Sequence, residues 1–264
     1  MRDWLRWGLI GLAVLAVGVM AIGYSFIFRG VASRPVGTIG TLEVPPAGRV
    51  VAETLEDGTP VFVVNLSDGP AVLDARSPAD PGWVPVLVAW CDDIGAFETG
   101  FLGEGDLVRT LGFEPDGTSF GLVESAGLAR YAVRQEDSGR VVVTDSTSHP
   151  GGRISGSPDC PAGAERVMHQ PADEEIFDPS VAIEEEPPGV IWLEGTLRTI
   201  EEEVVLCDKT PAGSNPCADG APAAGIDPAT IGPGGIDGLF VGVVRDGAIS
   251  GLAHALVLTE AEGS

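Results

Sequence analysis

Hydrophobic and polar positions along this chain follow three regimes. Positions 7 to 28, "WGLIGLAVLAVGVMAIGYSFIF", carry no charge. A helix rising about 1.5 Å per residue needs roughly 20 apolar residues to cross a bilayer core of about 30 Å. The run therefore predicts one N-terminal transmembrane helix within residues 1–30, with Trp4, Trp7 and Tyr24 at the interfaces. A cleaved signal peptide is the rival. Its apolar region would span about 7–15 residues and end in a small-x-small site. This run is longer and shows no such site, so an uncleaved anchor is expected, followed by a tether over 31–48.

From Arg49 the pattern becomes that of strands. "RVVAETL", "TPVFVVNL", "PAVLDA" and "VPVLVAW" are short, Val-rich and partly alternating, and the turn signals "EDG" and "SDGP" separate them. After a Gly-rich loop come "TSFGLV", "ARYAVRQ" and "RVVVTD". Short strands at this spacing, with no amphipathic helix among them, predict an all-β domain over 49–145.

Residues 146–189 change character. They are rich in Pro, Gly, Ser and acids and show no period, which predicts a linker arm. A second β unit is expected over 190–260, from "GVIWLEGTLRTI", "EEEVVLCD", "LFVGVVRDG" and "AISGLAHALVL". Asp246-Gly247 is its hairpin turn. A small OB-like barrel is the expected form of this unit. The fold class is thus mainly β, with one transmembrane helix.

Charge narrows the partners. The formal net charge is −24, from 39 acidic against 15 basic residues. Such a surface repels phosphates, so a nucleic-acid partner is not expected. Basic residues are balanced around the apolar run, and orientation is read instead from the cysteines. Cys207 and Cys217 bracket the loop "CDKTPAGSNPC", which a disulfide closes easily in an oxidising compartment. Two free thiols in a cytoplasmic loop are the alternative. The first reading places the bulk of the chain outside the cytoplasm, at the cell membrane with a single pass.

The stretch "VLVAWCDDIGAFE", Val86 to Glu98, raises the chemical question. With "GTPVFVVNLSDGPAVLDA" before it and "GFEPDG" and "GLARYAVRQEDSGRVVV" after it, residues of about 41–145 resemble the Rieske iron–sulfur family. The family's first cluster loop reads Cys-x-His-Leu-Gly and its second reads Cys-x-x-His. The resemblance implies a Rieske-like β sandwich, with Cys91 at the first thiolate position and Gly95 at the turn glycine. Asp93 stands where the first imidazole should be, and the second-loop ligand positions fall at about Asp106 and Arg109.

A Rieske centre needs two thiolates and two imidazoles. A guanidinium stays protonated and has no lone pair for iron. The histidines, His149, His169 and His254, lie in neither loop. Cys91, Asp93 and Asp106 are the residual metal candidates, but hard carboxylates serve a soft cluster poorly. Cys91 is otherwise a small buried thiol or the partner of Cys160. The disulfide is favoured because Cys160 would be an odd thiol in an exported chain. The segment around Cys207 and Cys217 also resembles a small uncharacterised exported bacterial domain, OB-like and of unknown role.

No Gly-x-Ser-x-Gly elbow, His-Glu-x-x-His pair or phosphate-cradling Gly-x-Gly-x-x-Gly is present. The expectation is therefore a membrane-anchored, extracytoplasmic, non-enzymatic binding or assembly protein without a cofactor. Its expected partners are the membrane and another membrane or respiratory complex protein. The alternative is a Rieske-type electron-transfer protein whose divergent site holds a [2Fe–2S] cluster.

Overall fold

Val-rich runs divided by turn residues fold as antiparallel hairpins, because alternate side chains can then bury on one face. The computed structural model describes residues 37–78, 84–103, 106–121, 125–155, 160–161, 163–171, 176–209, 217 and 220–255. The expected span within 1–30 and the start of the tether lie outside these residues. Among the described residues no helix is long and apolar enough to cross a membrane.

The first sheet runs β1 (Thr38–Glu43), β10 (Arg140–Ser148), β9 (Arg130–Gln135), β4 (Gly69–Asp74), β3 (Pro60–Leu66), β2 (Val50–Thr54). The unbroken apolar run of β3 follows from burial on both faces. Val61 and Val63 pack with Leu42, Val72 and Val141, while Phe62 and Val64 face the other way, with Leu73 and Phe97. The sheet curls until the end of β2 reaches β1, where the Glu56 N–H donates to the Ile39 carbonyl at 3.3 Å. This covers part of an edge that would otherwise invite pairing with another chain.

The second sheet runs β11 (Gly152–Ile154), β8 (Ser119–Gly121), β7 (Asp106–Phe113), β6 (Ala96–Gly103), β5 (Ala89–Cys91), β12 (Arg166–Val167). Its inner face carries Trp90, Phe97, Leu111 and Phe113 against Phe62 and Leu73 of the first sheet. The Phe97 ring lies 4.9 Å from Phe62 and 5.0 Å from Trp90, tilted or edge-on to each. Each fully buried ring of this kind contributes about 2–3 kcal/mol.

The third sheet runs β16 (Ala221–Pro222), β15 (Glu203–Asp208), β14 (Val190–Ile200), β17 (Ile236–Arg245), β18 (Ala248–His254), with β13 (Ile176–Phe177) added parallel to β14. A short helix, α1 (Pro179–Glu185), buries Ala182 in its core beside Leu193 and Leu206. The β17–β18 hairpin turns on Asp246 and Gly247, both at positive φ, as a two-residue hairpin of this type requires. The β14–β15 hairpin makes the same turn with Glu201 and Glu202, at φ 50° and 72°. The expected strand "EEEVVLCD" therefore begins only at Glu203.

The third sheet does not stand apart from the first two. Val84 and Val86 enter its core, and its Val241 and Ala253 enter the core around Phe62 and Trp90. The described residues from Thr38 onward belong to one compact unit. Domain limits at 145/146 and 189/190 and a free linker arm were expected; instead, residues 146–189 supply the end of β10, then β11, β12, β13 and α1. Gly152–Ile154, Arg166–Val167 and Ile176–Phe177 are too short to show a period, yet each one finds a strand to pair with. The tether expected over 31–48 likewise contains β1.

Candidate functional site

The stretch from Val86 to Glu98 leads from a buried segment into a hairpin. Val86, Leu87 and Val88 are buried, β5 follows, and Asp92–Gly95 turn the chain into β6. Gly95 makes the turn at φ 61°, and its N–H donates to the Cys91 carbonyl at 3.0 Å. The Trp90 indole donates to Asp92 Oδ1 at 2.6 Å, which ties the first turn carboxylate back to the strand. Asp93 and Ile94 are exposed at the tip.

Cys91 is fully buried and disulfide-bonded to Cys160, with the Cα atoms 6.1 Å apart. Cys207 and Cys217 form the second disulfide, with Cα atoms 4.7 Å apart. A bridged sulfur has no thiolate to give a metal. The other residual candidates do not join it. Asp106 begins β7, directly opposite Gly103, whereas Asp93 sits in the turn before Ala96. The whole of β6 lies between them, roughly 20 Å at about 3.3 Å per residue. Asp106 and Arg109, expected in a second loop, belong to the β6–β7 ladder. Among the described residues no group of three or more His, Cys, Asp or Glu side chains is placed to hold a metal ion.

The three histidines are committed elsewhere. His149 Nδ1 lies 3.2 Å from the Gly127 carbonyl. His254 Nε2 lies 3.3 Å from the Asp237 carbonyl, with its ring edge-on to Phe240. Burial lowers its pKa. His169 Nε2 lies 3.0 Å from the Val61 carbonyl, and its ring stands edge-on to Phe62 at 4.9 Å. Burial lowers its pKa to about 4. A carbonyl only accepts, so each of these ring nitrogens carries the proton and donates.

The disulfide is one half of a clamp whose other half, a buried ion pair, carries no signal in the sequence. Arg166 on β12 pairs directly with Cys91, and Val167 with Trp90. The Arg166 guanidinium forms an ion pair with Glu98 on β6; their side chains are 10% and 2% exposed. It also donates to the carbonyls of Ala164 and Cys160 at 3.2 and 3.4 Å. Glu98 Oε1 takes the guanidinium, and Oε2 has no partner among the described residues. The buried carboxylate therefore depends on this one arginine. A disulfide and a buried ion pair together hold Cys160 and β12 as a strap against β5 and β6.

A second buried cluster is also structural. The Asp74 carboxylate receives four hydrogen bonds: the Arg76 backbone N–H at 2.9 Å, Arg76 Nε at 2.9 Å, Arg76 Nη2 at 2.6 Å and the Tyr131 hydroxyl at 3.1 Å. The hydrogen bond and charge of Asp74 raise the Arg76 pKa; burial, then the Asp74 charge, raises that of Tyr131. Every strong acceptor site of Asp74 is used, which suits a carboxylate that is nearly inaccessible to water.

No family model, curated protein or solved structure matches this chain. The functional reading therefore rests on the residues themselves.

Proposed function

We propose that this chain is a membrane-anchored, extracytoplasmic binding or assembly protein, not an enzyme. In this reading its N-terminal half keeps a Rieske-like β scaffold without an iron–sulfur cluster, and its C-terminal sheet is an OB-like module. The observation that carries the reading is the Cys91–Cys160 bridge. The residue at the first thiolate position is spent on a covalent strap, and the chain positions of Asp93 and Asp106, at two further ligand positions, fall at opposite ends of β6.

Supporting observations come from the stretches that carry the resemblance. "GTPVFVVNLSDGPAVLDA" forms the β3–β4 hairpin, "VLVAWCDDIGAFE" the turn into β6, and "GLARYAVRQEDSGRVVV" the β9–β10 hairpin. Two disulfides favour an oxidising compartment, and the uncharged run at positions 7–28 favours an anchor. The surroundings would be those of an accessory subunit beside a membrane respiratory complex. That partner follows from the resemblance alone.

The test is a disulfide map of the full chain, recovered from membranes after alkylation without reductant. The reading expects a Cys91–Cys160 linked peptide and no alkylated Cys91. Quantitative alkylation of Cys91 would remove its main support.

A further inference from the structure

A cavity of about 390 Å³ opens where the β2–β3 turn meets the start of β14. Its described lining includes Gly58, His169, Phe177, Pro187, Val190 and Trp192, and no described lining residue carries a formal charge with the imidazole neutral. The wall is set by two glycines that cross. Gly58 and Gly189 both have positive φ; a Cβ on Gly58 would lie 2.1 Å from the Val190 carbonyl oxygen, and one on Gly189 would lie 2.3 Å from that of Asp57. The Val190 N–H donates to Asp57 O at 2.6 Å across this crossing. Such a backbone contact cannot slide without breaking, so the cavity exists before any ligand arrives. Its volume falls at the low end of the range for small-molecule sites.

The polar groups are fixed as well. His169 Nε2 donates to the Val61 carbonyl, so the neutral ring keeps its lone pair on Nδ1. The Nδ1 atom and the Trp192 indole N–H have no hydrogen-bond partner among the described residues. The site thus offers the His169 acceptor and the Trp192 donor, with the Thr54 hydroxyl and the Gln170 amide also in its lining, beside apolar walls from Phe177 and Pro187. A neutral imidazole does not compensate an anion, and no described lining residue supplies a carboxylate for a cation.

We propose that this cavity binds a small uncharged ring compound bearing a hydroxyl or N–H donor, with the donor on His169 Nδ1 and the ring against the apolar wall. This rests on the reading of the chain as a binding protein and supplies the ligand class. The two fail separately, because an iron–sulfur signal would end that reading without changing the behaviour of the cavity toward uncharged rings.

The experiment titrates the full chain in detergent with phenol, anisole and benzoate, by calorimetry and saturation-transfer NMR. Phenol should bind with Kd of about 1 mM, within the efficiency expected of so small a ligand. Anisole, which lacks the donor, should bind about fivefold more weakly, the worth of one net hydrogen bond. Benzoate should bind more weakly still. In His169→Phe the phenol and anisole affinities should become equal, and Trp192→Ala should weaken both. Equal binding of phenol and anisole to the unmodified chain would overturn the proposal, as would undetectable phenol binding at about ten times that Kd. If His169→Phe loses its cooperative melt, the phenol-to-anisole ratio of the unmodified chain decides alone.

Discussion

Replacing Cys91 and Cys160 together by alanine opens the longer of two covalent loops. The bridged residues are 69 apart in sequence, against 10 for Cys207 and Cys217. The loop-closure entropy lost from the unfolded chain scales with the logarithm of that length. It amounts to about 4 kcal/mol for the longer bridge and about 3 kcal/mol for the shorter. Unfolding entropy of about 2.1 cal/mol/K per residue, over roughly 220 residues, gives about 0.45 kcal/mol/K. The Cys91→Ala, Cys160→Ala variant should therefore melt about 10 °C lower, and the Cys207→Ala, Cys217→Ala variant about 6 °C lower. Near-ultraviolet circular dichroism under non-reducing conditions reads both transitions, because Trp90 is buried in the core edge-on to Phe97 and loses that fixed environment on unfolding. A Cys91/Cys160 variant that melts with the unmodified chain would mean that those sulfurs are not joined, and the strap argument would fail.

Three further outcomes follow from the packing. Arg166→Met should cost about 3–5 kcal/mol in urea unfolding, because it strands the buried Glu98 carboxylate; replacing both partners by methionine should cost much less, and a single change below about 1 kcal/mol would refute the burial argument. His169 has its folded pKa lowered to about 4 against the ordinary 6.5, so its neutral form contributes stability above pH 6.5 that is lost as pH falls toward 4. That loss is about 3 kcal/mol, His169→Gln should be spared it, and parallel stability–pH curves for the two proteins would contradict the assignment. Glu202→Gly should raise stability by about 1 kcal/mol, since glycine accepts the φ of 72° without steric cost, and denaturant midpoints would show it.

The strands of the first and third sheets were legible because Val-rich runs end at Asp-Gly, Ser-Gly and Gly-Pro signals. β3, β4, β9, β10, β14, β17 and β18 fall where those runs lie. The β6–β7 hairpin was not legible. Gly100, Gly103 and Gly105 interrupt its alternation, and tertiary packing of Phe97 and Leu111 overrides that local weakness. The strap was misread for another reason. Pro, Gly and acids dominate 146–189, while the structural information sits in Cys160, Arg166, Val167 and His169. The "RVMH" stretch, apolar residues beside a histidine in a polar arm, was the available signal for a buried segment. Glu98 carried no signal of burial, since a lone carboxylate in a strand reads as solvated unless its partner is known. The bond to Cys160, by contrast, was reachable from cysteine count alone.

The central claim is that no iron pair sits in this β scaffold. The most direct measurement is iron content with an electron paramagnetic resonance spectrum of the full chain, purified without chelator and reduced with dithionite under anaerobic conditions. The account predicts a colourless protein with no stoichiometric iron and no cluster signal. A [2Fe–2S] signal that accounts for most of the chains, lost in Cys91→Ser, would contradict it.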